Sequence, residues 1–160
     1  MMHVLESIRM EVRLMNHTTL SHLSVADELR IVEQEASLRI LLAEEDQEMR
    51  HLLAHDLRLN GHQVLEARDG VELLKAIEAG RPAFDLVICE QSLPGVPGLS
   101  ALDRFRAHDL TTPFILVTRN VDVAFKARRL GALVSDYPLG VEDIQSAIER
   151  SPDPTQPTYH

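Results

Sequence analysis

Acidic side chains stand at the ends of two apolar runs of this 160-residue chain, and a hydroxyl residue ends a third. Glu44, Glu45 and Asp46 follow Arg39–Ala43; Glu90 closes the run Phe84-Asp85-Leu86-Val87-Ile88-Cys89; Thr118 follows Pro113–Val117. Tyr137-Pro138 comes shortly after a weaker apolar stretch, Ala132–Ser135. Carboxylates brought together repel one another, and the repulsion is relieved by holding a proton or by binding a hard divalent cation. A run of three acids can also be no more than a helix start, where negative charge is favourable. That reading leaves Glu90 and Thr118 unexplained.

The intervening sequence says how these residues are positioned. Arg39–Ala43, Gln63–Ala67, Phe84–Cys89, Pro113–Val117 and Ala132–Ser135 read as strands; the first, third and fourth are almost continuously apolar, as strands covered on both faces are. Helical stretches separate them at Gln47–Leu59, Gly70–Ala79, Gly98–His108, Asp122–Leu130 and Val141–Arg150. Leu52, Leu53, Leu57 and Leu59 are assigned to the inner face of the first, and Asp69 with Glu72 forms a capping-box pattern before the second. Gly61, Gly80 and Gly131 follow helices, where a left-handed cap residue is wanted. Such alternation implies an α/β fold with a parallel sheet and helices on both faces. In open sheets of this kind the functional crevice lies outside the carboxyl ends of the strands, where the acidic residues are expected to meet.

The segments Arg39-Ile40-Leu41-Leu42-Ala43-Glu44-Glu45-Asp46, Asp85–Gly98 with its Leu93-Pro94-Gly95, Pro113–Thr118, and Gly131-Ala132 followed by Pro138 resemble response-regulator receiver domains in order and spacing over residues 38 to 150. The resemblance implies a flavodoxin-like (CheY-like) doubly wound sheet of five strands in the order 2-1-3-4-5. It gives Glu44 and Glu45 the places of the acidic pair, with Glu45 at the direct magnesium ligand, and Glu90 the place of the phosphoaccepting aspartate. It gives Thr118 the place of the switch hydroxyl. Tyr137 stands where the family has a lysine, in a segment about one residue short, and Tyr137-Pro138 matches a bond that is usually cis in the family.

These departures bear on the chemistry. Glutamate at position 90 reaches about 1.5 Å further than aspartate and misaligns in-line attack. Without the lysine, the cation that would pair with an acyl phosphate is gone. Glu45 is also longer than the usual aspartate and crowds a small octahedral ion, so magnesium on Glu45 and Glu90 is expected to be weak. The chain is expected to be an atypical receiver and not an enzyme, working in two-component signalling through contacts with a histidine kinase or a downstream signalling protein. Glu90 is then either a fixed mimic of the phosphorylated state or part of a degenerate pocket. The alternative is a phosphorelay receiver still phosphorylated slowly on Glu90.

A formal charge of −9 argues against nucleic acid as partner. No apolar run is long enough for a membrane span, and Cys89, the single cysteine, suits a reducing cytoplasm. Lys126, Arg128 and Arg129, which the resemblance puts at a usual partner surface formed by the fourth helix, fifth strand and fifth helix, could attract an acidic partner. His51 and His55, four apart, with His62 beyond, have metal-binding spacing but read better as surface histidines, and Cys89 as a buried inert thiol. Residues 1–37 are read as an extension, helical in part, that is either loosely attached or a homodimerisation element; residues 151–160, rich in proline, as a disordered tail.

Overall fold

The computed structural model describes residues 37–79 and 83–136, together with residues 139–140, 143–144 and 147. The expectations for the N-terminal extension, Gly80, Tyr137-Pro138 and the C-terminal tail lie outside the described residues.

Among the described residues five strands and four helices alternate: β1 (Arg39–Ala43), α1 (Gln47–Leu59), β2 (Gln63–Ala67), α2 (Gly70–Ala79), β3 (Leu86–Glu90), α3 (Gly98–Arg106), β4 (Phe114–Val117), α4 (Val121–Arg129) and β5 (Leu133–Ser135). The strands form one parallel sheet in the order β2-β1-β3-β4-β5. The near-continuous apolar strands β1, β3 and β4 take the centre, while β2 alternates exposed and covered side chains as an edge strand does. Two cores follow from that alternation. Leu41, Ala43, Val87, Cys89 and Leu116 face α2, α3 and α4 through Leu73, Leu102, Phe105 and Ala127. Ile40, Leu42, Ile88, Ile115 and Val117 face α1 through Ala54 and Leu57, with Ile144 and Ala147 packed on the same side. Helices on both faces of the sheet make the fold doubly wound. Of the expected fifth helix, Asp143, Ile144 and Ala147 are described, and all are helical.

Some boundaries differ from the sequence reading, each for a local reason. β3 begins at Leu86: the Asp85 N–H still donates to the Arg39 carbonyl at 2.8 Å, but the Arg39 N–H goes to the Asp85 carboxylate at 2.7 Å and not to a backbone carbonyl. Pro113 has no N–H to donate and stays outside β4, although its carbonyl accepts from Val87. α4 starts one residue early because Asn120 caps it, its side chain accepting the Val123 N–H. In α1, Leu52 and Leu59 are 57% and 73% exposed, so the inner stripe is Leu53, Ala54 and Leu57. Leu52 and Leu59 are seven apart and share a stripe, but it is the outward one. Asp69 caps α2 through the Val71 and Glu72 N–H groups, whereas Glu72 reaches back to the Arg68 N–H instead of closing a box on Asp69.

Glycine is required at two kinds of position. At Gly98 a β-carbon would lie 2.5 Å from the Glu90 carbonyl oxygen and 2.7 Å from Leu116 Cδ1. At Gly131 space is open but φ is +72°, a conformation that L side chains resist. Gly98→Ala should therefore cost about 3 kcal/mol through overpacking, and Gly131→Ala about 1 kcal/mol through backbone strain. Urea denaturation midpoints of the two variants test this ranking; equal losses would contradict it.

Candidate functional site

The register of the sheet brings the strand ends level. Ala43 pairs with Ala67 on one side and with Cys89 on the other, Glu90 pairs with Val117, and Val117 with Ser135. Just past these pairs the ladder continues into the loops: Glu44 N–H donates to the Ala67 carbonyl, Gln91 N–H to Val117 and Thr118 N–H to Ser135. Glu44, Glu90 and Thr118 thus lie along one carboxyl edge. Tyr137 is outside the described residues.

The acidic triplet divides into three roles. Asp46 is the N-cap of α1, its carboxylate accepting the Met49 N–H at 2.8 Å. Glu45 is exposed. Glu44 is only 2% exposed and accepts the Asp46 N–H at 2.9 Å. Burial pushes the Glu44 carboxyl from 4.5 up to about 7; the Asp46 N–H opposes the rise, and a hydrogen bond with Glu90 together with the charges of Glu90 and Asp46 adds to it. The carboxyl of Glu90 at the tip of β3 thus favours the protonated form of Glu44 at the tip of β1. Glu90 itself is half-buried, and its Oε2 is enclosed without a hydrogen-bond partner. Beside it, Cys89 is wholly buried; burial, then the charges of Glu90 and Glu44, push its thiol far up, leaving it un-ionised.

Residues that the sequence reading did not single out hold this edge in place. Arg50 donates to the carbonyls of Glu44 and Glu45 at 2.8 and 3.3 Å, while its Nε lies 3.5 Å from Glu66. Gln91 supplies the cap that α3 lacks at Pro97: its carbonyl accepts the Gly98 N–H and its Oε1 accepts the Leu99 N–H at 2.8 Å. Neither residue carries a spacing signal, although Gln91 precedes a helix that begins with Pro-Gly and has no capping side chain of its own. Farther off, buried Arg106 donates to the carbonyls of Asp109, Thr112 and Leu130.

Thr118 Oγ1 accepts the Asn120 N–H at 3.1 Å, tying the hydroxyl to the start of α4. Lys126 and Arg129 line a groove against α3, whereas Arg128, exposed on the same helix, is outside that lining. The histidines also separate: His51 approaches Glu66, His55 approaches Asp56, and His62 Nδ1 accepts the Leu38 N–H. Among the described residues, no three His, Cys, Asp or Glu side chains converge as a metal set.

A doubly wound sheet of this order, with acidic groups and a hydroxyl at level strand tips, defines a receiver-type α/β fold. The chain belongs to the response regulator receiver domain family, which matches residues 40–149. Among curated relatives it is 28% identical over 130 residues to the transcriptional regulatory protein TcrA of Mycobacterium tuberculosis, covering 77% of this chain and 51% of TcrA. It is 31% identical over 111 residues to the response regulator MprA of Mycobacterium ulcerans, covering 68% of this chain and 47% of MprA. The chain thus spans about half the length of the curated relatives it matches. The fold is shared with a response regulator receiver domain protein from Clostridium thermocellum, with a TM-score of 0.65 and 23% identity over 70% of this chain and 91% of that one. It is also shared with the chemotaxis protein CheY4 of Vibrio cholerae, with a TM-score of 0.62 and 21% identity over 72% of this chain and 99% of that one.

The raised Glu44 carboxyl has a thermodynamic signature. Between pH 4.5 and about 7 the folded chain keeps the Glu44 proton that the unfolded chain releases. The stabilisation from this group is therefore complete below the lower value and is lost as pH rises through the upper one. The loss amounts to at most about 3 kcal/mol. Glu44→Gln, neutral at every pH, should remove this slope, gaining stability relative to the native chain as pH rises. Urea unfolding across this range checks it; a difference independent of pH would contradict it.

Proposed function

We propose that this receiver domain serves two-component-type signalling as a docking module whose protein contacts do not depend on an acyl phosphate at position 90. The observation that carries this reading is the Glu90 carboxyl, enclosed at Oε2 and set against a second carboxyl, Glu44. Phosphoryl transfer requires an acceptor oxygen open to in-line approach and cations to take up the charge on the phosphoryl oxygens. Both requirements are poorly met. The chain has two lysines, Lys75 and Lys126, and both lie within helices, on α2 and α4.

Magnesium fits these donors badly. Glu45 is exposed while Glu90 Oε2 is enclosed, and Glu44 keeps its proton to near neutral pH. A small octahedral ion demands ionised oxygens held close and in fixed directions. The partners suited to such a domain are proteins, a histidine kinase or a downstream signalling protein, with control through abundance or a further ligand.

Intact-mass spectrometry after incubation with magnesium and a small acyl-phosphate donor tests the proposal. The native chain should gain no phosphoryl adduct. An adduct on the native chain that Glu90→Ala abolishes would overturn the proposal and make the domain a phosphorelay receiver. The Glu90→Asp variant should also stay unmodified if the whole pocket is unsuited; an adduct on that variant alone would assign the defect to the acceptor and favour the mimic.

A further inference from the structure

Between α3 and α4 lies an open groove of about 760 Å³. Its floor is apolar: Leu99 and Leu130 sit there half-buried, packed on the core beneath. Phe125 forms one wall and is 62% exposed, whereas Phe105 and Phe114 are buried and Phe84 is partly covered. An aromatic ring left in water forgoes a large share of the stabilisation its burial would bring, and is common where one protein meets another. The rim carries Arg104, Lys126 and Arg129, and among the described residues none of these makes an ion pair. Asp103 is the single acid in the lining.

The local charge is thus positive on a chain whose formal charge is −9. We infer that the α3–α4 groove is a docking site for an acidic amphipathic helix of a partner protein, its apolar side chains on Phe125, Leu99 and Leu130 and its carboxylates on Arg104, Lys126 and Arg129. Charge complementarity selects the acidic partner and speeds encounter, and the apolar floor with an aromatic wall supplies the buried anchor that peptide grooves of this type use. Nucleic acid fits less well, because the negative chain repels it and the floor offers apolar contact where phosphate would lie. The inference extends the docking function proposed above by giving the chemistry of the partner. It does not involve the Glu90 carboxyl and is tested without any phosphodonor, so either can fail alone.

The probe is a helical peptide of glutamates with leucines at positions i, i+4 and i+7, titrated into the isotope-labelled full chain and followed by amide NMR. A peptide with lysine in place of glutamate and a single-stranded oligonucleotide are run beside it. Saturable shifts should centre on Leu99–Arg104 and Phe125–Leu130 with the acidic peptide alone, and should weaken as salt is raised. Phe125→Ala and the double substitution Lys126→Glu with Arg129→Glu should each weaken binding at least about tenfold. All three positions are exposed, so unchanged spectra of the free variants verify that the fold is kept. No shifts, equal binding of the two peptides, shifts elsewhere, preference for the oligonucleotide, or concentration-dependent shifts at this groove without peptide would each overturn the inference, the last by assigning the groove to a second copy of the chain.

Discussion

Two carboxyl groups meet at the tips of β1 and β3, and burial beside a second acid makes Glu44 slow to ionise. Everything at the carboxyl edge is arranged around that constraint. The parallel register puts Ala43 opposite Cys89, so Glu44 and Glu90 follow at nearly the same level. Glu44 keeps a proton to near neutral pH, and a hydrogen bond with Glu90 favours that form.

The surrounding backbone keeps the pair from relaxing outward. Arg50 draws the carbonyls of Glu44 and Glu45 toward α1, and Gln91 folds the loop after Glu90 onto the first turn of α3. The loop is tied again where the Pro94 carbonyl accepts the Gly70 N–H at the start of α2. Close approach of Gly98 to the Glu90 carbonyl fixes the end of β3 against the same helix. The exposed aromatic and the cations that make no ion pair among the described residues lie between α3 and α4, on a surface that joins the Glu90 loop at the first turn of α3.

The fold was legible because it depends on a one-dimensional signal. Apolar runs of four or five residues alternating with helical stretches gave all five strands, and the acids at their ends gave the edge where the site lies. The site's interior was less legible, because side-chain direction at a strand tip is set by the turn that follows. Nothing in Glu44-Glu45-Asp46 says that the first is buried, the second exposed and the third a cap. Likewise Lys126, Arg128 and Arg129 stand close in sequence, but the 100° step of a helix leaves Lys126 and Arg129 in the groove lining and Arg128 outside it. The bonds of Gln91, Arg50 and Arg106 go to backbone carbonyls and amides, which leave no pattern of residue types to find. Leu52 and Leu59 misled for the opposite reason: leucine marks an inner face on average, and this helix carries two on its outer one.

The central claim is that Glu44, buried beside Glu90, holds its proton to near neutral pH. Carbon-13 NMR of the glutamate side-chain carboxyls, followed against pH with and without millimolar magnesium, tests it most directly. The Glu44 carboxyl should titrate at about 7 and be indifferent to magnesium. A Glu44 carboxyl that titrates like a free glutamate, or one whose titration magnesium shifts sharply downward, would contradict the account and restore a metal-dependent receiver pocket.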